Sequence, residues 1–106
     1  MTRLMVTALL LAGMPVSATA QDGGDVQRGL AFARTTCSEC HGVEGRTSLR
    51  ADSPPFVVIA NTPGMTALAL KVWLQTPHRN MPNFILERED RDDVIAYITS
   101  LKTAGE

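Results

Sequence analysis

The chain has 106 residues, is 44% apolar and carries ten Lys+Arg against eleven Asp+Glu, a formal net charge of −1. That length allows one domain and excludes most large enzyme folds, and the balanced charge excludes a strongly basic nucleic-acid binder. Thirteen of the apolar residues fall within the first twenty positions, so the remainder is leaner than the average suggests.

Residues 1–20, MTRLMVTALLLAGMPVSATA, place Arg3 before an apolar stretch from Leu4 to Met14 and end on Ala18-Thr19-Ala20. A cation, a short apolar run and a small-residue site in that order predict a secretory signal peptide cleaved before Gln21. The apolar run is eleven residues, well short of the roughly 20 that a spanning helix needs. No twin-arginine pair or lipid-bearing cysteine accompanies it. The expected product, residues 21–106, is one soluble periplasmic domain that does not span the membrane, with a formal charge of −2 and about 40% apolar residues. A domain that small needs a staple beyond its own side chains. The two cysteines, Cys37 and Cys40, are the candidates.

Asp25 is a good N-cap for a first helix that turns Val26, Gly29, Leu30 and Ala33 to one face, with Phe32 adjoining it. Glycine weakens a helix interior, so Gly29 predicts a close approach by another backbone. Residues 42–55 hold two glycines, two prolines and little periodicity, and read as a loop. Phe56 to Ala60 is a short apolar run that periodicity leaves open between a strand and helical turns. After a turn at Pro63-Gly64, Thr66 caps a helix ALALKVWLQ that Pro77 ends, with Leu70, Trp73 and Leu74 as its apolar stripe. A last helix runs from near Arg88 to about Lys102, with Glu87, Glu89 and Asp90 at the positive end of its dipole and Lys102 at the negative end. Its buried face is Val94, Ile95, Tyr97, Ile98 and Leu101. The fold class expected is all-α.

Cys37-Ser38-Glu39-Cys40-His41 is a C-x-x-C-H run, the attachment signature of c-type haem. Two thiols at that spacing can each bond one haem vinyl group, and the adjoining histidine then lies under the iron as an axial ligand. Three other uses of these residues compete. A redox dithiol needs a thioredoxin-like strand-helix setting, which is not seen before Cys37. A zinc site would have to recruit Cys37, Cys40, His41 and His78 without the paired spacing of zinc modules. A Cys37–Cys40 disulfide would close a loop too small to stabilise much.

A six-coordinate iron needs a second axial ligand, and beyond residue 20 the candidates are Met65, Met81 and His78. Met65 is accounted for as a hydrophobic contact at the start of a helix. Met81 lies in PHRNMPN, between Pro77 and Pro82, in a polar loop with no helix face to pack on. Two prolines stiffen such a loop, which a weak thioether ligand requires. Met81 is favoured, with His78 or an open position as the alternatives.

With CSECH, a proline-flanked methionine forty residues later and DDVIAYITSL at the end, the chain resembles the small bacterial class I cytochromes c. The resemblance implies three to five helices around one covalent haem, with Gly29 where the first helix crosses the last and Tyr97 packed against the first helix. It further implies that one of Pro54-Pro55, with Pro54 the better placed, accepts the Nδ1–H of His41, that Phe56 belongs to the haem surroundings, and that Trp73 aims its indole N–H at a propionate. The lysine-rich haem face of mitochondrial relatives is absent, since only Lys71 and Lys102 are present.

The expected function is electron transfer on a His41/Met81-ligated haem c, without substrate chemistry. Phe56, Leu70, Trp73, Leu74 and Tyr97 are the candidate apolar shell. Thr35, Thr36, Ser38, Asn80 and Asn83 would form a mostly uncharged rim for transient contact with a periplasmic donor and acceptor. The alternatives are a cytochrome subunit of a periplasmic dehydrogenase, and a peroxidase or gas-binding haem protein with an open sixth position.

Overall fold

The computed structural model describes residues 23–103. The expected signal peptide, residues 1–20, lies outside them. Four helices follow in order, α1 (Val26–Thr36), α2 (Phe56–Ala60), α3 (Ala67–Gln75) and α4 (Arg88–Ser100), with no strand among the described residues. No helix among those residues is long and apolar enough to cross a membrane.

Local chemistry sets most boundaries. The Asp25 carboxylate accepts the Arg28 backbone N–H at 2.8 Å, and the Thr66 hydroxyl accepts that of Ala69 at 3.1 Å, so α1 and α3 both start on side-chain caps. Thr76 adopts ψ 129°, the extended backbone that Pro77 demands of its neighbour, and α3 stops there. The 56–60 run is helical, and Phe56 and Ala60, one turn apart, are its buried pair. At α4, Glu89 and Asp90 occupy the first turn, but the helix ends at Ser100 with no basic residue in its last turn. Lys102 thus lies beyond the helix end, because the chain closes a tighter turn in which Leu101 N–H bonds the Ile98 carbonyl.

α4 packs against the other three helices, and its crossing with α1 is the tightest contact in the fold. A Cβ at Gly29 would lie 2.0 Å from the Asp93 carbonyl oxygen and 2.9 Å from Tyr97 Cβ, so only glycine fits. Gly24 meets α4 as closely, since a Cβ there would lie 2.2 Å from the backbone of Asp92 and Asp93. Between these two contacts Asp93, 3% exposed, accepts hydrogen bonds from Asp25 N–H at 2.6 Å and from Arg28 Nε at 2.8 Å. The Arg28 hydrogen bond holds the Asp93 carboxyl below the usual carboxylate range, against the opposing effect of burial. Val26, expected on the buried face of α1, is exposed, since the crossing is made by Gly24, Gly29 and Ala33. Ala33, Phe56, Ala60, Leu70, Val94, Ile95, Tyr97 and Ile98, joined by Val43 from the loop, form the core.

Candidate functional site

The end of α1 continues directly into the cysteine motif. Cys37 N–H bonds the Ala33 carbonyl at 2.8 Å, and His41 N–H bonds the Cys37 carbonyl at 2.9 Å, so the five residues form one compact turn. Both cysteines are free and half-buried. Burial, with a smaller effect from Cys40, pushes the Cys37 thiol up to about 11. A redox-active dithiol needs a displaced thiol in the opposite direction.

His41 is fixed from two sides. Its Nδ1 lies 2.7 Å from the Pro54 carbonyl oxygen, which can only accept, so the proton sits on Nδ1 and the Nε2 lone pair is left for a ligand. Its ring lies 5.3 Å from that of Phe56, which in turn lies 6.4 Å from Tyr97. The Tyr97 hydroxyl donates to the Val43 carbonyl at 2.6 Å in the interior. The irregular 42–55 loop is tied back to the motif as well, by Phe56 N–H to the Gly42 carbonyl at 2.9 Å and Arg50 N–H to the Cys40 carbonyl at 3.2 Å. Arg34 pairs with Glu44 across the start of the loop.

Beside this assembly opens a cavity of about 320 Å³. Its lining divides along the chain into a histidine wall of Phe32, Cys37, His41, Pro54, Phe56 and Ile59 and a methionine wall of Met65, Leu70, Trp73, Leu74, His78 and Met81, with Phe84, Leu86, Val94 and Ile98 completing it. Such a volume, mostly apolar with a few convergent polar groups, is in the range of small-molecule and cofactor sites. The residues fit a haem: a thiol of the pair at the wall, an imidazole with its Nε2 prepared, and soft sulfur donors in the same cavity.

The methionine wall is built differently. Thr76-Pro77 leads into a turn in which Met81 N–H bonds the His78 carbonyl at 3.3 Å, with Asn80 at φ 63°. His78 Nδ1 bonds the Thr76 carbonyl at 3.0 Å, and its ring stands edge-on to Trp73 with centroids 5.2 Å apart. Asp52 and Arg79 bring one charge of each sign to the cavity.

Of the residues singled out from the sequence, Cys37, His41, Pro54, Phe56, Trp73, His78 and Met81 all line the cavity. Cys40 is half-buried in the adjoining turn. Tyr97 is corrected from lining to support, since its ring lies behind Phe56. Trp73 is 51% exposed, unlike buried Leu70, because it stands near the end of α3 beside the methionine loop. Of the hydroxyls assigned to the rim, that of Thr35 is bonded to the Ala31 carbonyl within α1. Among the described residues no three His, Cys, Asp or Glu side chains gather to hold an ion, which leaves the four-ligand zinc arrangement without a site. Met65, weighed as a ligand from the sequence and then assigned to a hydrophobic contact at a helix start, also lines the cavity. The Thr62-Pro63-Gly64-Met65 turn pattern could have placed it there.

The cytochrome c family matches residues 26–102. Cytochrome c-552 of Bradyrhizobium diazoefficiens is 37% identical over 95 residues, covering 89% of this chain and 88% of that protein. No solved structure matches the chain significantly. With four helices and a cavity between the cysteine motif and the methionine loop, the chain belongs to the cytochrome c family, as a small bacterial class I member that carries electrons on covalently bound haem c and its iron.

Proposed function

We propose that the protein is a periplasmic one-electron carrier, exported by residues 1–20, whose haem is bonded to Cys37 and Cys40 and ligated by His41 and Met81. The observation that carries this reading is the single cavity lined by both His41, its Nδ1–H committed to the Pro54 carbonyl, and Met81. Haem held there would supply a one-electron Fe(II)/Fe(III) couple, and ligation by Met81 together with His41 would raise its potential relative to two histidines. The protein's own residues do the rest. Pro54 fixes the His41 tautomer and Phe56 packs against its ring. Phe32, Ile59, Leu70 and Leu74 line the interior with apolar surface, and Trp73, at the cavity edge, would offer its indole N–H to a propionate.

Asp52 and Arg79 at the cavity leave the face without one dominant sign, which suits a weak, short-lived contact of below roughly 1,200 Å² with donor and acceptor. Carbon monoxide tests the axial pair. Reduced protein at neutral pH should bind it slowly because Met81 blocks the sixth position; rapid binding overturns the reading in favour of a peroxidase or gas-binding protein.

One observation favours a second reading, a cytochrome subunit of a periplasmic dehydrogenase. Phe84 and Ile85, the latter 93% exposed, come directly after the methionine loop and present apolar surface near the cavity. Elution of the native exported protein at the size of one chain supports the free carrier, and co-elution with a dehydrogenase supports the subunit.

A further inference from the structure

We infer that the left-handed backbone of Asn80 is what aims the Met81 side chain into the cavity, so that Asn80 is a positioning residue acting through its main chain rather than through its amide. The inference rests on Met81 as the axial ligand proposed above. Met81 N–H bonds the His78 carbonyl at 3.3 Å, which closes a four-residue turn with Arg79 and Asn80 at its centre. Asn80 has φ 63°, and it is the one non-glycine residue among those described with positive φ. A positive φ at the third position alone defines a type II turn, whose geometry favours Gly or Asn there.

The same device occurs once more among the described residues, at Met65. Met65 N–H bonds the Thr62 carbonyl at 3.0 Å across Pro63 and Gly64, and Gly64 has φ 80°. Both methionines are therefore the fourth residue of a type II turn, and both line the cavity. At Met65 the turn has its most favourable residues, proline followed by glycine. At Met81 it has Arg79-Asn80, and an L side chain is held in a conformation that costs it free energy.

Pro82 makes the turn decisive. It restricts Met81 to extended backbone, so Met81 cannot absorb a change of direction in its own φ and ψ. If Asn80 relaxed to negative φ, the peptide plane before it would flip and the Met81 Cα–Cβ bond would leave the turn on another heading. The prolines on either side stiffen the loop; Asn80 sets where it points.

The experiment compares Asn80→Gly, Asn80→Val and, in the other turn, Gly64→Val, each as the haem-loaded protein. The readouts are the sulfur-to-iron absorption band of the oxidised form and the rate of carbon monoxide binding by the reduced form. Asn80→Gly keeps the left-handed backbone and should match the wild type on both. Asn80→Val, whose branched side chain resists positive φ, should weaken the band and raise the carbon monoxide rate roughly tenfold while covalent haem is retained. Gly64→Val should lower thermal stability and leave the band in place. An Asn80→Val protein with wild-type band and rate overturns the inference alone, and so does an Asn80→Gly protein as defective as Asn80→Val. Loss of the band in Gly64→Val to the same extent overturns it too, by showing a general response to destabilisation. A wild type without the band overturns the Met81 assignment itself.

Discussion

The two walls of the cavity are held by opposite means. On the histidine side, His41, Phe56 and Tyr97 form a line of rings backed by α4, the Tyr97 hydroxyl and the His41 Nδ1–H both bond backbone carbonyls, and Gly29 locks α1 onto α4. On the methionine side, Met81 is half-buried, while Asn80, Pro82, Asn83, Phe84 and Ile85 around it are exposed. The first wall is fixed by long-range packing; in the second, Leu70 anchors α3 to the core, but the loop that carries Met81 is held by local backbone geometry. Packing gives many mutually supporting contacts, so the histidine wall should fail only with the fold; a turn has few, so the methionine wall can change while the fold survives.

Substitutions on each side test that division, and the largest effect belongs to the attachment. Cys37→Ala with Cys40→Ala should abolish cooperative unfolding and most helical circular dichroism, because the covalent haem is the staple of a domain this small. A compact helical product would show that the packed wall stands without it. Gly29→Ala comes next: the new methyl would overlap the Asp93 carbonyl, with an expected loss of about 3 kcal/mol in chemical denaturation. A loss below about 1 kcal/mol would mean that the crossing can slide apart.

Met81→Ala should leave the haem attached and the fold intact but remove the sulfur-to-iron band and lower the potential, by a fraction of the roughly 0.8 V that axial ligand choice spans. Met65→Leu, a near-isosteric change in the other turn, should keep the band and cost less than about 1.5 kcal/mol. Reversal of those two results would exchange the roles of the methionines.

The smallest effect concerns pH. Arg28 and the Asp25 N–H hold the folded Asp93 carboxyl below its ordinary value. Its contribution is therefore present above the unfolded value of about 4 and is lost as pH falls through the depressed folded value. Asp93→Asn should flatten the acid limb of a stability-against-pH curve while leaving the spectrum of the methionine wall unchanged. An acid limb as steep as that of the wild type would place the titrating group elsewhere.

The elements that depend on neighbours in sequence were the legible ones. Asp25 and Thr66 cap helices from three residues away, and Pro77 acts on Thr76, so both helices start, and α3 stops, where the residue types predict. Gly29 was readable because glycine inside a helix asks for a reason. Gly24 makes an equally close contact, but before the helix starts a glycine looks like ordinary loop. Asp93 lies in a run of charged residues that resembles a solvated face, and its partners Arg28 and Asp25 are more than sixty residues away in sequence. Phe56 to Ala60 had no deciding period at five residues, and packing against α4 resolves it. At the site, Cys37, Cys40 and His41 announce themselves as one contiguous motif, whereas Met65 and the backbone of Asn80 matter through turn geometry that residue type alone only hints at.

The absorption spectrum of the haem-loaded protein in both oxidation states tests the central claim most directly. A covalent low-spin haem with a sulfur-to-iron band in the oxidised form is the expected result. A high-spin spectrum, or a low-spin one without that band, would contradict the His41/Met81 pair on which the carrier reading depends.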